Sequence, residues 1–138
     1  METDKFGICH CFNLRRAGNK VLAMYNEKIE TCGLSGNQFT VLNYIGSYGP
    51  INISDLSKLL YLDRTTLVRN LKPLEKAGYI QYKKGVGRER LLCLTDEGKE
   101  KQEESQKLWN EAQTELEEKI GTEHMEMFHE VIRAIYKM

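Results

Sequence analysis

Residues 56–94 read LSKLLYLDRTTLVRNLKPLEKAGYIQYKKGVGRERLLCL, and the fold turns on how they are read. Leu67, Leu71 and Leu74 recur at i, i+4 and i+7, a spacing that stacks side chains on one side of an α-helix. Asp63 stands just before that run, where a carboxylate accepts the orphan amides of a first turn, and Gly78 stands just after it. A helix is therefore expected over Arg64–Ala77. Upstream, Leu56, Leu59 and Leu60 predict a shorter helix capped by Ser54, with only Tyr61-Leu62-Asp63 between the two: a helix-turn-helix. Downstream the period shortens, so that Tyr79–Lys83 and Leu91–Leu94 predict two strands around Lys84–Glu89, a hairpin with a basic tip. Pro73 removes an amide donor at a cost of about 3 kcal/mol and pushes Lys72 away from helical angles. Because the leucine stripe continues across it, the helix is read as continuous but kinked.

Working outward, Ile8–Thr31 carries Cys11, Phe12, Val21, Leu22, Tyr25 and Ile29 at helical spacing and ends at Gly33. Ser35 caps a second helix, Gly36–Tyr48, stopped by Gly49-Pro50. After the hairpin a long helix begins at Asp96. It is almost wholly polar to Gln106 and reads as a solvated bridge, then becomes apolar at Leu108, Trp109, Ala112, Leu116 and Ile120. Gly121 breaks it, and Thr122 is expected to cap a last helix with Met125, Phe128, Val131, Ile132 and Ile135 on one face. The fold class is thus mainly α with a small β-hairpin wing.

A formal net charge of zero conceals a segregation. Residues 1–57 hold five basic and five acidic groups, residues 58–94 hold nine and three, and residues 95–138 hold six and twelve. The middle is net +6 and the end net −6, so a polyanion can be attracted locally, because charge interactions are screened beyond about 10 Å. No apolar run approaches the roughly 20 residues of a membrane span, and Met1–Lys5 has no signal pattern, so a cytoplasmic protein without membrane partners is expected. Cys9, Cys11, Cys32 and Cys93 are read as reduced thiols, and Cys9-His10-Cys11 lacks zinc-site spacing. No metal and no cofactor are expected. Nor is an enzyme: His10, His124 and His129 have no evident serine or aspartate partner, and Gly85-Val86-Gly87 lacks the strand-to-helix setting of a dinucleotide loop.

With the leucines inward, Thr65, Arg69, Lys72 and Lys76 face outward. An arginine fork grips guanine O6 and N7 in the major groove, while threonine meets a thymine methyl or a phosphate. Wing cations Lys83, Lys84, Arg88 and Arg90 suit the flanking backbone, adding affinity more than discrimination. The expected DNA-contacting set is Arg64, Thr65, Thr66, Arg69, Asn70, Lys72, Lys84, Arg88 and Arg90. Each residue alone also fits a merely solvated surface; their convergence within 35 residues favours double-stranded DNA. The alternative is a winged-helix protein-interaction module without specific DNA binding, which would more naturally expose aromatic or aliphatic anchors.

The segment Leu62–Glu75, then Ala77-Gly78-Tyr79-Ile80 and Leu91–Gly98, closely resembles the MarR family of transcriptional regulators, the proline within the helix included. The likeness covers the whole chain. It implies an N-terminal dimerisation helix (1–33), a winged helix-turn-helix (34–98) and a C-terminal linker with dimerisation helices (99–138), together one compact domain. It further implies a homodimer reading a palindromic operator, commonly as a repressor, and released by a small aromatic acid or by cysteine oxidation. Arg88 matches the family's wing-tip arginine, whereas the aspartate that usually pairs with it is Val86 here. Cys11-Phe12-Asn13-Leu14 resembles the reactive-cysteine segment of the organic-hydroperoxide-sensing branch. In that branch partner-subunit tyrosines hold the cysteine; Tyr25 matches one, and the other falls on Arg15. Cys11 and Tyr25 lie about 21 Å apart along one helix and could meet only across a dimer. Arg15 and Arg16, one turn from Cys11, would favour its thiolate. With Tyr25 they are also the candidate lining of a ligand cleft, while a helical cysteine is ordinarily a small buried hydrophobe.

Overall fold

In the computed structural model, which describes residues 9–138, the elements follow in the order α1 (His10–Ile29), α2 (Gly36–Tyr48), α3 (Ile53–Leu60), α4 (Arg64–Lys76), β1 (Ile80–Lys84), β2 (Arg90–Leu94), α5 (Asp96–Ile120) and α6 (Met125–Tyr136). The reading that placed Ile8 in the first helix lies outside the described residues. α1 ends in a 3₁₀ turn, Glu30–Cys32, and Gly33 reverses the chain at φ 90°. α2 starts where the sequence places it, because Ser35 and Gln38 form a reciprocal cap: the Gln38 amide donates to Ser35 Oγ at 3.1 Å and the Ser35 amide to Gln38 Oε1 at 2.9 Å.

Two expected caps are displaced. α3 is capped by Asn52, whose Oδ1 accepts from the Asp55 amide at 2.7 Å, and Ser54 lies inside the helix. Ile51 explains the early start: it is pinned to Leu92 by paired backbone hydrogen bonds of 3.0 and 2.7 Å, so the chain turns into the helix directly after it. Thr122 caps nothing. Thr122–His124 form a 3₁₀ turn behind Gly121 at φ 103°, and α6 begins at Met125 with no side-chain cap.

α4 runs unbroken through Pro73, with Leu67, Leu71 and Leu74 buried. They join Ile29, Leu34, Phe39, Leu42, Ile45, Leu56 and Leu92 in one core beneath the reading motif. Burial of a leucine side chain stabilises by about 1.5–3 kcal/mol, comparable with the cost of the missing proline donor, so the stripe holds the helix across it. The hairpin is antiparallel, with Ile80 opposite Leu94, Tyr82 opposite Leu92 and Lys84 opposite Arg90. β1 starts one residue later than expected and runs on to Lys84, and β2 starts one earlier, because Lys84 pairs with Arg90 and carries the ladder one step closer to the tip.

The polar start of α5 is not a solvated bridge throughout. Gly98 and Ser105 are buried, and Gly98 presses so closely on the backbone of Tyr79 that no Cβ fits there. Ser105 satisfies its hydroxyl on the carbonyls of Lys101 and Gln102, at 2.8 and 3.1 Å. Lys101 reaches across to the Cys32 carbonyl at 2.9 Å and so holds the end of α1 to α5. These groups carry their own hydrogen-bond partners into the contact, which polarity alone does not announce. α6, by contrast, buries no residue at all.

Candidate nucleic-acid interface

The outward face of α4 rests on its cap. Asp63 accepts the Thr66 amide at 2.7 Å and the Thr66 hydroxyl at 3.0 Å. Those two bonds, with the nearby Arg69 charge adding to them, hold the Asp63 carboxyl below the usual carboxylate range. Arg64, Thr65, Arg69 and Lys72 are exposed and, with half-buried Val68, line an open groove of about 390 Å³. Thr66 and Asn70 are half-buried, and the Thr66 hydroxyl already serves the cap.

At the hairpin tip the Gly85 amide donates to the Glu89 carbonyl at 2.8 Å, and Gly87 adopts φ 64°. Val86 is 92% exposed, so the tip has no side-chain restraint at the position where the resemblance expects an aspartate. Lower down, the Arg90 guanidinium lies 4.1 Å above the ring of Tyr82. Burial, and then the charge of Glu75, push the Tyr82 phenol up, against the opposing pull of Arg90 and Arg64. Asn52, Ser54, Arg64, Tyr82, Arg88, Glu89 and Arg90 surround a second cleft of about 360 Å³ between α3, α4 and the hairpin.

Of the residues expected at the interface, Arg64, Thr65, Arg69 and Lys72 therefore share one groove. Arg64, Arg88 and Arg90 share the other, and Arg64 belongs to both. Lys84 is exposed opposite Arg90, and Lys84, Thr66 and Asn70 border neither space. Tyr82, Asn52 and Ser54 were absent from the expected set. Asn52 and Ser54 carried a signal as helix-start residues, whereas the position of Tyr82 over Arg90 follows only from the hairpin register.

A third space, about 240 Å³ and mostly apolar, lies between α1, α2 and α5 and is lined by Val21, Leu22, Tyr25, Phe39, Thr40 and Trp109 among others. The rings of Phe39 and Trp109 stack with centroids 6.2 Å apart. Tyr25 donates to Gln113 Oε1, and burial, then the charge of Glu117, raise its phenol above the ordinary value. Arg15 and Arg16 are not part of this lining; both are exposed nearer the start of α1, where Arg16 lies over the Phe12 ring at 5.4 Å. Cys11 is exposed rather than a buried hydrophobe, and neighbouring Cys9 caps α1 by accepting from the Phe12 amide at 3.4 Å.

Known proteins place this geometry. Residues 33–90 match the MarR family. YwoH of Bacillus subtilis, an uncharacterized HTH-type transcriptional regulator, is 31% identical over 109 residues, which span 78% of this chain and 80% of YwoH. The chain belongs to the MarR family. The HTH-type transcriptional regulator SarZ of Staphylococcus saprophyticus is also 31% identical, over 80% of each chain. Among solved structures, the M. tuberculosis regulator MosR in complex with DNA superposes with a TM-score of 0.77 at 26% identity, covering 94% of this chain and 97% of MosR. As a MarR-family transcriptional regulator, the protein has a winged helix-turn-helix whose recognition helix is α4 and whose wing is β1–β2. No helix of the described residues is long and apolar enough to cross a membrane.

Proposed function

We propose that this MarR-family protein binds a palindromic operator as a homodimer, represses from it rather than acting as an enzyme, and releases it on binding a small aromatic ligand or on oxidation of Cys11. The observation that carries the DNA part is the cationic, hydroxylated face of α4: Arg64, Thr65, Arg69 and Lys72 stand free on a capped helix backed by three buried leucines. That face offers major-groove donors and no exposed aromatic anchor, which favours DNA over a protein partner. Homodimer formation is supported by apolar side chains left exposed on both terminal helices, among them Phe12, Leu14, Met127, Phe128 and Val131. The apolar space around Tyr25 and Trp109 supports a small aromatic ligand, and the exposure of Cys11 beside Arg15 and Arg16 supports an oxidant.

Selection of bound sequences from a random duplex pool tests the reading directly. Two related half-sites with centres about 34–36 Å apart are expected, with affinity falling steeply as salt rises. A flat salt response, or a pool without a shared sequence, would refute it. For the trigger, operator affinity is compared for wild type and Cys11→Ser with and without an organic hydroperoxide. Equal behaviour removes oxidation and leaves the ligand.

A further inference from the structure

Tyr82 occupies the point where the wing faces the recognition helix. Its partner across the hairpin is Leu92, which is buried, and the next pair on the same face, two residues along, is Lys84 with Arg90. Residues directly opposite one another share a face of the ribbon, so Arg90 is the diagonal neighbour of Tyr82 and can lay its guanidinium on the ring. The ring is half-buried and therefore a fixed platform. Arg64, the first residue of α4, stands on the far side of the same cleft, close enough for its charge to be felt at the Tyr82 phenol.

We propose that Tyr82 is a positioning residue of the DNA interface, holding the Arg90 guanidinium so that Arg90 and Arg64 close on a single phosphodiester of the duplex backbone at the mouth of their shared cleft. The proposal rests on the DNA-binding reading above and adds to it an uncharged residue and a defined seat. Four observations carry it. The cleft, at about 360 Å³, has room for a phosphate group and some of its hydration, since one water accounts for about 30 Å³. Among the described residues, none of Arg64, Arg88 and Arg90 is engaged in an ion pair, so the positive charge on the rim is not neutralised from within. Glu89, the one carboxylate on the rim, folds against Gly85, where an added Cβ would come within 3.1 Å of its Oε1. Val86, at the hairpin tip, is solvent-exposed and does not line the cleft, so it does not cover the seat.

The chemistry requires a guanidinium. Stacking uses the flat face of the arginine and leaves its N–H edge free to donate two parallel hydrogen bonds to phosphate oxygens. An ammonium has no such division between face and edge. Fixing Arg90 before DNA arrives also lowers the conformational entropy lost on binding.

A labelled duplex of arbitrary sequence, titrated between about 50 and 200 mM salt, reads phosphate contacts without knowledge of the operator. Tyr82→Phe keeps the ring and should retain wild-type affinity and salt slope. Tyr82→Leu should bind about threefold more weakly and flatten the slope by up to about one unit, as should Arg90→Gln. The double variant should be no weaker than Arg90→Gln alone, because the ring acts only through the arginine. Wild-type binding by Tyr82→Leu alongside weakened Arg90→Gln would overturn the proposal, as would full addition of the two losses. If Tyr82→Leu fails to fold by circular dichroism, Arg90→Lys decides: with charge kept and flat face removed it should still lose about threefold, and undiminished binding overturns the idea. A wild-type protein that binds no duplex at any salt would instead refute the DNA reading itself.

Discussion

Helices α4 and α6 are near twins in length, at 13 and 12 residues, and both carry an apolar stripe at helical spacing, yet they end in opposite environments. α4 buries Leu67, Leu71 and Leu74 against its own chain. α6 presents Met125, Phe128, Val131, Ile132 and Ile135 and buries none of them, Val131 remaining 47% exposed. An apolar stripe states that a helix needs a partner; it does not state on which chain the partner lies. The difference separates the two tasks of the molecule, since the α4 stripe stabilises the protomer and the α6 stripe is available for a second one.

Substitutions that strike one stripe and spare the other sharpen this contrast. The largest effect is expected for Leu71→Ala, which empties a fully packed site and should lower unfolding free energy by about 2–5 kcal/mol in urea titration. A loss below 1 kcal/mol would mean that α4 is less firmly seated than its burial implies. Val131→Asp should leave a folded protomer while weakening self-association by about 2–4 kcal/mol, seen as a halved mass in sedimentation at low concentration. An unchanged mass would break the comparison, because α6 would then have no partner to lose. On the outer side of α4, Arg69→Ala should cut discrimination between operator and random duplex by about 1–3 kcal/mol with no change in melting temperature, whereas Lys84→Ala should weaken both duplexes alike.

The smallest effect concerns the α4 cap. Asp63 has a depressed carboxyl in the folded state, so its contribution is present above the unfolded value of about 3.9 and is lost as pH falls through the lower folded value. Asp63→Asn keeps an acceptor but removes the titration, and its acid-limb stability curve should be flatter than wild type below about pH 4. Identical curves would show that the Thr66 bonds do not survive in solution.

What was legible in the sequence was mostly local. The start of α2 could be read because Ser35 and Gln38 cap each other within one turn, and the α4 stripe because Leu67, Leu71 and Leu74 obey a single period. The start of α3 was misplaced by two residues because Asn52 and Ser54 are both good caps, and the choice between them is made by Leu92, about forty residues away. The cationic set on α4 followed from periodicity, but its union with the wing did not. Arg64 and Arg90 share a cleft only because the hairpin folds back with a particular register, which also sets Tyr82 beneath Arg90. The ligand-cleft reading named Arg15, Arg16 and Tyr25; of these Tyr25 lines the apolar space, which Phe39 and Trp109 complete from two other helices. Contacts between elements distant in sequence leave no periodic trace.

The near-contact of Gly98 with the backbone of Tyr79 gives the long helix and the hairpin a common footing without slack. Thr95 fastens the same joint, receiving the Gly98 amide at 3.0 Å and donating its hydroxyl to the Gly78 carbonyl. With no side chain to yield between them, α5 and the wing turn as one lever. Over the 25 residues of α5, roughly 37 Å, a tilt of about 10° at this pivot corresponds to a swing of about 6 Å at the distal end. In a homodimer of the kind proposed, whatever sets the angle at which the two copies cross would therefore also set the distance between their hairpins.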